Sequence, residues 1–252
     1  MSHLFREKGV TSSATNIYHI THSPSNETVS LYFGGCNFDC RGCTRKKMVL
    51  DLHLERRSVP AKKHLHFLTF KKVIDALKKV EPKRVLFLGG EPTVDLKLAD
   101  LAKSIHNEFR ACNVLFTNAF VLPSLEDIDE VCVGLKALDN RLHLDYTGKS
   151  NRRVLENFVT LHRSNVKLRS ESILIPGYID CEEIGRIAKF IASVDPDIPH
   201  IIDAYIPAPG TPWRRPTPRE VDKAVKAARK YLNNVSGRKG NIKRRYEVIK
   251  IV

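Results

Sequence analysis

Residues 84–109 read RVLFLGGEPTVDLKLADLAKSIHNEF, and the order of their parts decides the fold class. RVLFLG (84–89) is a short apolar run that predicts a strand. GGEP then breaks it with two glycines and a proline. From residue 94 to residue 109 apolar side chains return at helical spacing, with Asp95 placed to cap the first turn. A strand that passes through a tight turn into an amphipathic helix is the repeating unit of a parallel sheet with crossover helices.

Working outward, the unit recurs on both sides. TVSLYF (28–33), NVLFT (113–117), VCVGLKA (131–137), KLRSESILI (167–175) and HIIDAYI (200–206) predict further strands. Helical patterns lie between them at 69–80, 150–164 and 181–194, opened by Thr69, Ser150 and Asp180, and a last long helix is expected over 218–235. Six strands are two short of a closed eight-stranded barrel. The expected architecture is therefore α/β, a curved and partly open TIM-like barrel. With no repeat or linker to divide it, one domain is expected over 1–252: an N-terminal extension (1–27), a barrel core (28–207), and a C-terminal loop, helix and basic tail (208–252). In such folds ligands sit at the C-terminal ends of the strands.

Composition narrows the class. Of the 252 residues, 42% are hydrophobic, which supports a sizeable core and excludes a disordered chain. No apolar run reaches the length of a membrane span and the N-terminal residues lack a secretory pattern, so a cytoplasmic, reducing location is expected. Lys plus Arg exceed Asp plus Glu by 42 to 28, a net charge of +14. Such a field suits an anionic partner, whether an acidic protein, a phosphorylated metabolite or nucleic acid. No aromatic-interleaved RNA motif or helix-turn-helix pattern accompanies it, and a solvated basic surface is the simpler reading.

The first predicted strand runs into FGGCNFDCRGCTRKK (33–47), with Cys36, Cys40 and Cys43 in one loop. Four-iron clusters normally take four thiolates and structural zinc takes four ligands. Three thiols would leave one iron free to bind a small molecule, while Gly34, Gly35 and Gly42 let backbone N–H groups fold around a cluster. The alternatives are a zinc knuckle that borrows His53 or His64, or plain buried thiols.

CNFDCRGC resembles the cluster loop of the radical S-adenosylmethionine superfamily, and LFLGGEPT (86–93) resembles its Gly-Gly-Glu-Pro segment. Residues 131–191, including the YTGKSNRRVLENF turn and helix and the ILIPGYID strand end, further resemble over most of their length the activating enzymes of pyruvate formate-lyase and other glycyl radical enzymes. The resemblance implies a partial (β/α)6 barrel. It also implies a [4Fe-4S] cluster on Cys36, Cys40 and Cys43, and S-adenosylmethionine held near Gly89, Gly90, Glu91, Asn118 and Lys136. Glu91 would meet the methionine amine and Lys136 its carboxylate or the ribose region. Reductive cleavage of the cofactor would give a 5′-deoxyadenosyl radical that abstracts hydrogen. The implied partners are reduced ferredoxin or flavodoxin as electron donor and a glycyl radical enzyme as protein substrate.

The departures from the family are specific. Gly42 stands where the superfamily usually has an aromatic against the adenine. The family's Asp-Thr-Asn-Gly becomes Phe116-Thr117-Asn118-Ala119, and its Asp-Leu-Lys becomes Gly134-Leu135-Lys136. The two lost aspartates serve a monovalent cation in the resembled activator, so that site is expected to be missing here. Glu171 replaces an arginine, with Arg169 two residues upstream on the same strand face; either both point into the barrel or they form an ion pair on a solvated face. Pro207 replaces a histidine, which leaves the substrate open: a protein glycine, a small metabolite, a cofactor precursor or RNA. A different class, a non-catalytic iron–sulfur or zinc protein binding nucleic acid, is the rival. Cys112, Cys132 and Cys181 read as small hydrophobes, His64 and His66 as surface or packing residues, and Trp213 as the anchor of a Pro-rich loop in preference to a cover for the barrel mouth.

Overall fold

The structure is a computed structural model that describes residues 14–46, 51, 54, 65–208, 210–240 and 247–252. Nine strands form one sheet: β1 (Ile17–Ser23), β2 (Thr28–Phe33), β3 (Arg84–Gly89), β4 (Cys112–Thr117), β5 (Glu130–Gly134), β6 (Lys167–Leu174), β7 (His200–Ala204), β8 (Val235–Arg238) and β9 (Ile249–Lys250). Their order is β8-β7-β6-β5-β4-β3-β2-β1-β9. From β2 to β8 every neighbouring pair is parallel, while β1 and β9 add antiparallel strands at the other edge. The sheet has two free edges among the described residues, so the barrel is open.

All six predicted strands are present, within a residue or two at most ends; the 131–137 run stops earlier, at Gly134. The parallel count is seven rather than six, because β8 extends the sheet beyond β7. The segments expected as appendages also belong to the sheet: β1 lies within 1–27, and β8 and β9 within 208–252.

Six α-helices accompany the strands: α1 (Phe70–Leu77), α2 (Leu98–Phe109), α3 (Asn140–Thr147), α4 (Arg152–His162), α5 (Cys181–Val194) and α6 (Pro218–Ala228). α1 buries Phe70, Val73, Ile74 and Leu77, the i, i+3, i+4, i+7 stripe of a helix lying on a core. The predicted last helix is shorter than expected: α6 ends at Ala228, and Val235 already belongs to β8. Thr69 and Asp180 cap α1 and α5 through Lys72 N and Glu182 N. Asp95 and Ser150 do not occupy the N-cap positions expected of them, which fall to Lys97 and Asn151. Asp95 instead receives the backbone N–H of Asn16 at 2.7 Å and that of Lys97 at 2.8 Å, fastening the chain before β1 to the turn before α2.

Burial alternates along the sheet with a period of two. In β6 Ser170, Ser172 and Leu174 are buried and Arg169, Glu171 and Ile173 are only partly so; in β7 His200, Ile202 and Ala204 alternate with Ile201 and Asp203 in the same way. The buried set faces the helices. A Cβ on Gly237, which pairs with Ile202, would stand 2.8 Å from Val221 and Val225 of α6. The main core therefore lies between sheet and helices, and the concave inner face is a half-open lumen. Among the described residues no helix is long and apolar enough to cross a membrane.

Candidate active site at the C-terminal mouth

The cysteine loop leaves β2 through Gly34 and Gly35, the latter at φ 81°. It is fastened to a helix that sequence reasoning missed: Asp39 N and Arg41 N donate to the carbonyls of Thr147 and Tyr146 at the end of α3, both at 2.9 Å. Phe38, buried, packs edge-on against Phe120 and His143, also of α3. Cys36 is exposed, and Cys40 and Cys43 are partly buried. The sulfur of Cys36 accepts the Phe38 N–H at 3.3 Å and lies 3.8 Å from Asn118 Nδ2. These are donors of the kind that stabilise thiolate.

Gly42 is enclosed by aromatics. A Cβ there would meet Tyr146 Oη and Tyr205 Cε2 at 3.1 Å and Trp213 Cζ3 at 3.2 Å. Trp213 stacks on Tyr178 with centroids 4.6 Å apart, and the Arg41 guanidinium lies 5.2 Å from its ring. Arg41 is in turn paired with Asp145 at 2.5 Å, and Tyr178 Oη also donates to that carboxylate. The loop of Trp213 thus closes on the cysteine loop, nearer to a cover of the barrel mouth than to the plain loop anchor preferred for it.

The GGEP turn clasps the same loop from the other side. Gly90 N donates to Phe33 O at 2.7 Å and Glu91 N to Gly35 O at 2.8 Å. A Cβ on Gly90 would stand 2.0 Å from Gly35 O, and Gly89 has φ 118°. Both glycines are required for two strand ends to approach at main-chain distance.

Glu91 is buried, and its carboxylate already ties its own turn to the end of β4. Oε1 accepts from Thr93 N at 3.2 Å, Thr93 Oγ1 at 2.7 Å and Thr117 Oγ1 at 2.7 Å; Oε2 accepts from Asn118 N at 2.7 Å. Burial raises its pKa, against the pull of these donors. Oε1 is saturated, so any further donor must come to Oε2. The Asn118 side chain donates to Asn37 Oδ1 at 2.7 Å, which ties the end of β4 to the cysteine loop.

Lys136 follows β5. Burial acts to lower its pKa, yet the fields of Cys40, Glu171, Cys43 and Cys36 hold the ammonium above its ordinary value. Its Nζ lies 2.9 Å from where a Cβ on Gly134 would stand, so the missing side chain at 134 leaves room for the charge. Thus Cys36, Cys40, Cys43, Gly89, Gly90, Glu91, Asn118 and Lys136 occupy one end of the sheet.

The other singled-out residues fall elsewhere. Cys112 sits beside the Arg84–Glu130 pair, Cys132 is buried under Glu171, and Cys181 opens α5. His66 is exposed. His53 and His64, the expected helpers of a zinc knuckle, lie outside the described residues. Sequence reasoning did not single out Asn37, Arg41, Tyr146, Tyr178 and Tyr205 as site residues, although each lies inside a stretch read there as a motif or strand: CNFDCRGC, YTGKSNRRVLENF, ILIPGYID and HIIDAYI.

The residues fit an iron–sulfur cube. Three thiols share one loop, and N–H donors are aimed at the first of them. Among the described residues no group of three or more His, Cys, Asp or Glu is gathered as one metal ion would need. A cube does not require such convergence, because each thiolate meets its own iron.

Comparison with known proteins agrees. Residues 30–191 match the model of the Radical SAM superfamily. Over 225 residues the chain is 30% identical to a candidate glycyl-radical enzyme activating enzyme of Methanocaldococcus jannaschii, covering 86% of this chain and 83% of that protein. The pyruvate formate-lyase 1-activating enzyme of Escherichia coli is 29% identical over 116 residues, 40% of this chain and 45% of that one. Among solved structures, Streptococcus suis SuiB bound to S-adenosylmethionine superposes with a TM-score of 0.60 at 18% identity, over 81% of this chain and 48% of that chain. The chain spans about half the length of these last two proteins, and the SuiB likeness speaks for the fold alone. With the family model covering well over half of its residues, the chain belongs to the radical SAM superfamily.

Proposed function

We propose that this radical SAM enzyme is an activase: it carries a [4Fe-4S] cluster on Cys36, Cys40 and Cys43, binds S-adenosylmethionine beside it, and makes a glycyl radical in a partner protein. The observation that carries the cofactor reading is the set of three thiols in one loop at the strand ends, the first of them reached by Phe38 N–H and Asn118 Nδ2, with the other three cysteines placed elsewhere. The activase reading is supported by the likeness to the Methanocaldococcus protein along 86% of the chain.

When bound, the cluster and S-adenosylmethionine supply one-electron reductive cleavage of a sulfonium, and with it the power to take hydrogen from carbon. The chain's own residues bind and orient. Gly89 and Gly90 bring main chain to the site, and Glu91 Oε2 accepts an ammonium donor. Lys136 pairs with a carboxylate, and Asn118 holds the cysteine loop on β4. The aromatic wall of Tyr146, Tyr178, Tyr205 and Trp213 excludes water from one flank. The net charge of +14 suits an acidic electron donor such as reduced ferredoxin or flavodoxin. Because β1, β8 and β9 complete one sheet, we treat 1–252 as one functional unit.

The test begins with anaerobic reconstitution, expected to give about four iron and four sulfide per chain. Dithionite and S-adenosylmethionine should then yield 5′-deoxyadenosine, and a glycyl radical protein added to the mixture should show a glycine-centred electron paramagnetic resonance signal. One zinc per chain without cofactor cleavage overturns the reading. A second reading, hydrogen abstraction from a small metabolite, is favoured by the charged lumen; there, deoxyadenosine release would respond to the metabolite and not to a protein.

A further inference from the structure

Below the cysteine loop, the lumen holds a cation with no acid to meet it. Arg169 on β6 pairs in register with Cys132, and Cys132 with Phe116, so the three share the inner face. The guanidinium of Arg169 lies 4.9 Å from the Phe116 ring centroid. Of its nitrogens only Nε is fully buried without a partner, and among the described residues none of the three donates a hydrogen bond or meets a carboxylate within 4.0 Å. The neighbouring charges are already engaged with one another. Glu171 acts on Lys136, and Asp203 pairs with Arg238 at 3.4 Å.

An arginine that serves only the fold is normally paired or solvated. Shielding an N–H without an acceptor costs on the order of 1–3 kcal/mol, and stacking on an aromatic ring returns roughly 0.5–2 kcal/mol. Arg169 is therefore held over the Phe116 ring with its outer nitrogens open to the lumen and without a protein partner, available to a ligand. It stands two residues deeper than Glu171 and Gly134, about 7 Å along the strand. A group on Arg169 would thus place the rest of its molecule up toward Lys136 and the cysteine loop.

We propose that Arg169 is the anion-binding residue of the lumen and that the substrate presents a carboxylate to it. Glu171 and Asp203 lie on the same face, so a singly charged carboxylate meets less repulsion there than a doubly charged phosphate. The proposal deepens the function above, since it takes the lumen as the substrate's place. The carboxylate has two possible sources, a small metabolite or an acidic side chain of a polypeptide.

The experiment uses the full reconstituted chain under anaerobic conditions and butyrate as probe, titrated at constant ionic strength by ligand-observed NMR. Wild type should saturate. Arg169→Met should weaken binding by at least about tenfold, the loss expected for a charged hydrogen-bonded contact, and Arg169→Lys should restore part of it. Glu171→Gln should tighten binding by removing a like charge. Equal affinity in Arg169→Met, loss in Lys136→Met alone, tighter binding of inorganic phosphate than of butyrate, or no saturation of wild type each overturns the proposal. Should Arg169→Met fail to fold, Phe116→Leu keeps the charge and removes the platform; it should weaken binding a few-fold, and unchanged affinity overturns the proposal. Displacement of butyrate by an acidic hexapeptide, and not by its Asn/Gln counterpart, assigns the carboxylate to a polypeptide; failure of both assigns it to a small molecule. Wild-type protein that cleaves the cofactor but ignores butyrate defeats only this proposal, and one that binds butyrate but never cleaves defeats only the function above.

Discussion

A methyl group at residue 90 should part the two strand ends that define the mouth. In Gly90→Ala the new Cβ would meet Gly35 O at 2.0 Å, Gly35 C at 3.0 Å and Phe33 O at 3.1 Å, all of them main chain. Contact with the carbonyl oxygen must open by about 1.4 Å or more to reach ordinary distance. Two hydrogen bonds span that gap, Gly90 N to Phe33 O and Glu91 N to Gly35 O. Each contributes about 1 kcal/mol net and costs more when left buried and unmade. The expected destabilisation is about 3 kcal/mol, and at roughly 2–4 °C per kcal/mol a fall in Tm of about 6–12 °C. The control is Gly185→Ala in the middle of α5, where nothing lies within 4 Å of the new Cβ. There the same methyl should stabilise by about 0.5–1 kcal/mol through helix propensity. Anaerobic urea unfolding of the metal-free proteins by far-ultraviolet circular dichroism reads both. Should Gly90→Ala unfold at the wild-type midpoint, the clasp described between the two glycine turns is wrong.

Three further outcomes are expected. Burial lowers the pKa of His200 to about 4 and raises that of Asp203 to about 6. His200 therefore costs stability as pH falls from about 6.5 toward 4, while Asp203 returns it from about 6 toward 4, each by roughly 3 kcal/mol. Wild type should be nearly flat in that window; His200→Gln should gain stability on acidification and Asp203→Asn should lose it, and equal pH slopes in the three proteins would refute the assignment. Trp213 is the chain's one tryptophan and packs on Gly42 beside Cys43, so its fluorescence should fall as iron and sulfide are incorporated; unchanged emission contradicts that placement. Lys136 supplies a fixed cation where Gly134 leaves room, so cofactor cleavage should proceed alike in potassium, sodium and tetramethylammonium buffers, and a requirement for potassium or sodium counts against it.

Much of this was legible because parallel strands announce themselves. Buried on one face and shielded on the other, they read as apolar runs, and the cysteine spacing and GGEP turn fell at their ends. What stayed hidden was polar. β1 reads IYHITHS, yet His19, Thr21 and Ser23 are buried, with His19 Nδ1 close to the Val252 carbonyl at 2.8 Å and Thr21 bonded to Asp51 at 2.9 Å. Their burial depends on partners distant in sequence. β8 is four residues, VSGR, too short to show a period. α3, NRLHLDYT, buries only His143, Tyr146 and Thr147 and owes its definition to the Asp139 cap and Gly148, whose φ is 75°. Glu91 was legible as a site carboxylate, but its four donors come from Thr93, Thr117 and Asn118 and could not be foreseen from a turn motif alone.

The two departures at Phe116 and Gly134 acquire a joint meaning from their positions. Both lie on the inner face, one row apart, on adjacent parallel strands. Aspartates at both would put two negative charges into the lumen next to Glu171 and Asp203, a repulsion that a bound cation would have to offset. With glycine at 134 the Lys136 ammonium lies against the strand, and with phenylalanine at 116 a guanidinium lies on the ring. The positive charge is then covalently fixed rather than recruited from solution. Residue 171 completes the exchange: Glu171 acts on Lys136 from the neighbouring strand, while the arginine of β6 sits two residues deeper. The sum of charges at the mouth is thus kept near balance while their order along the lumen changes.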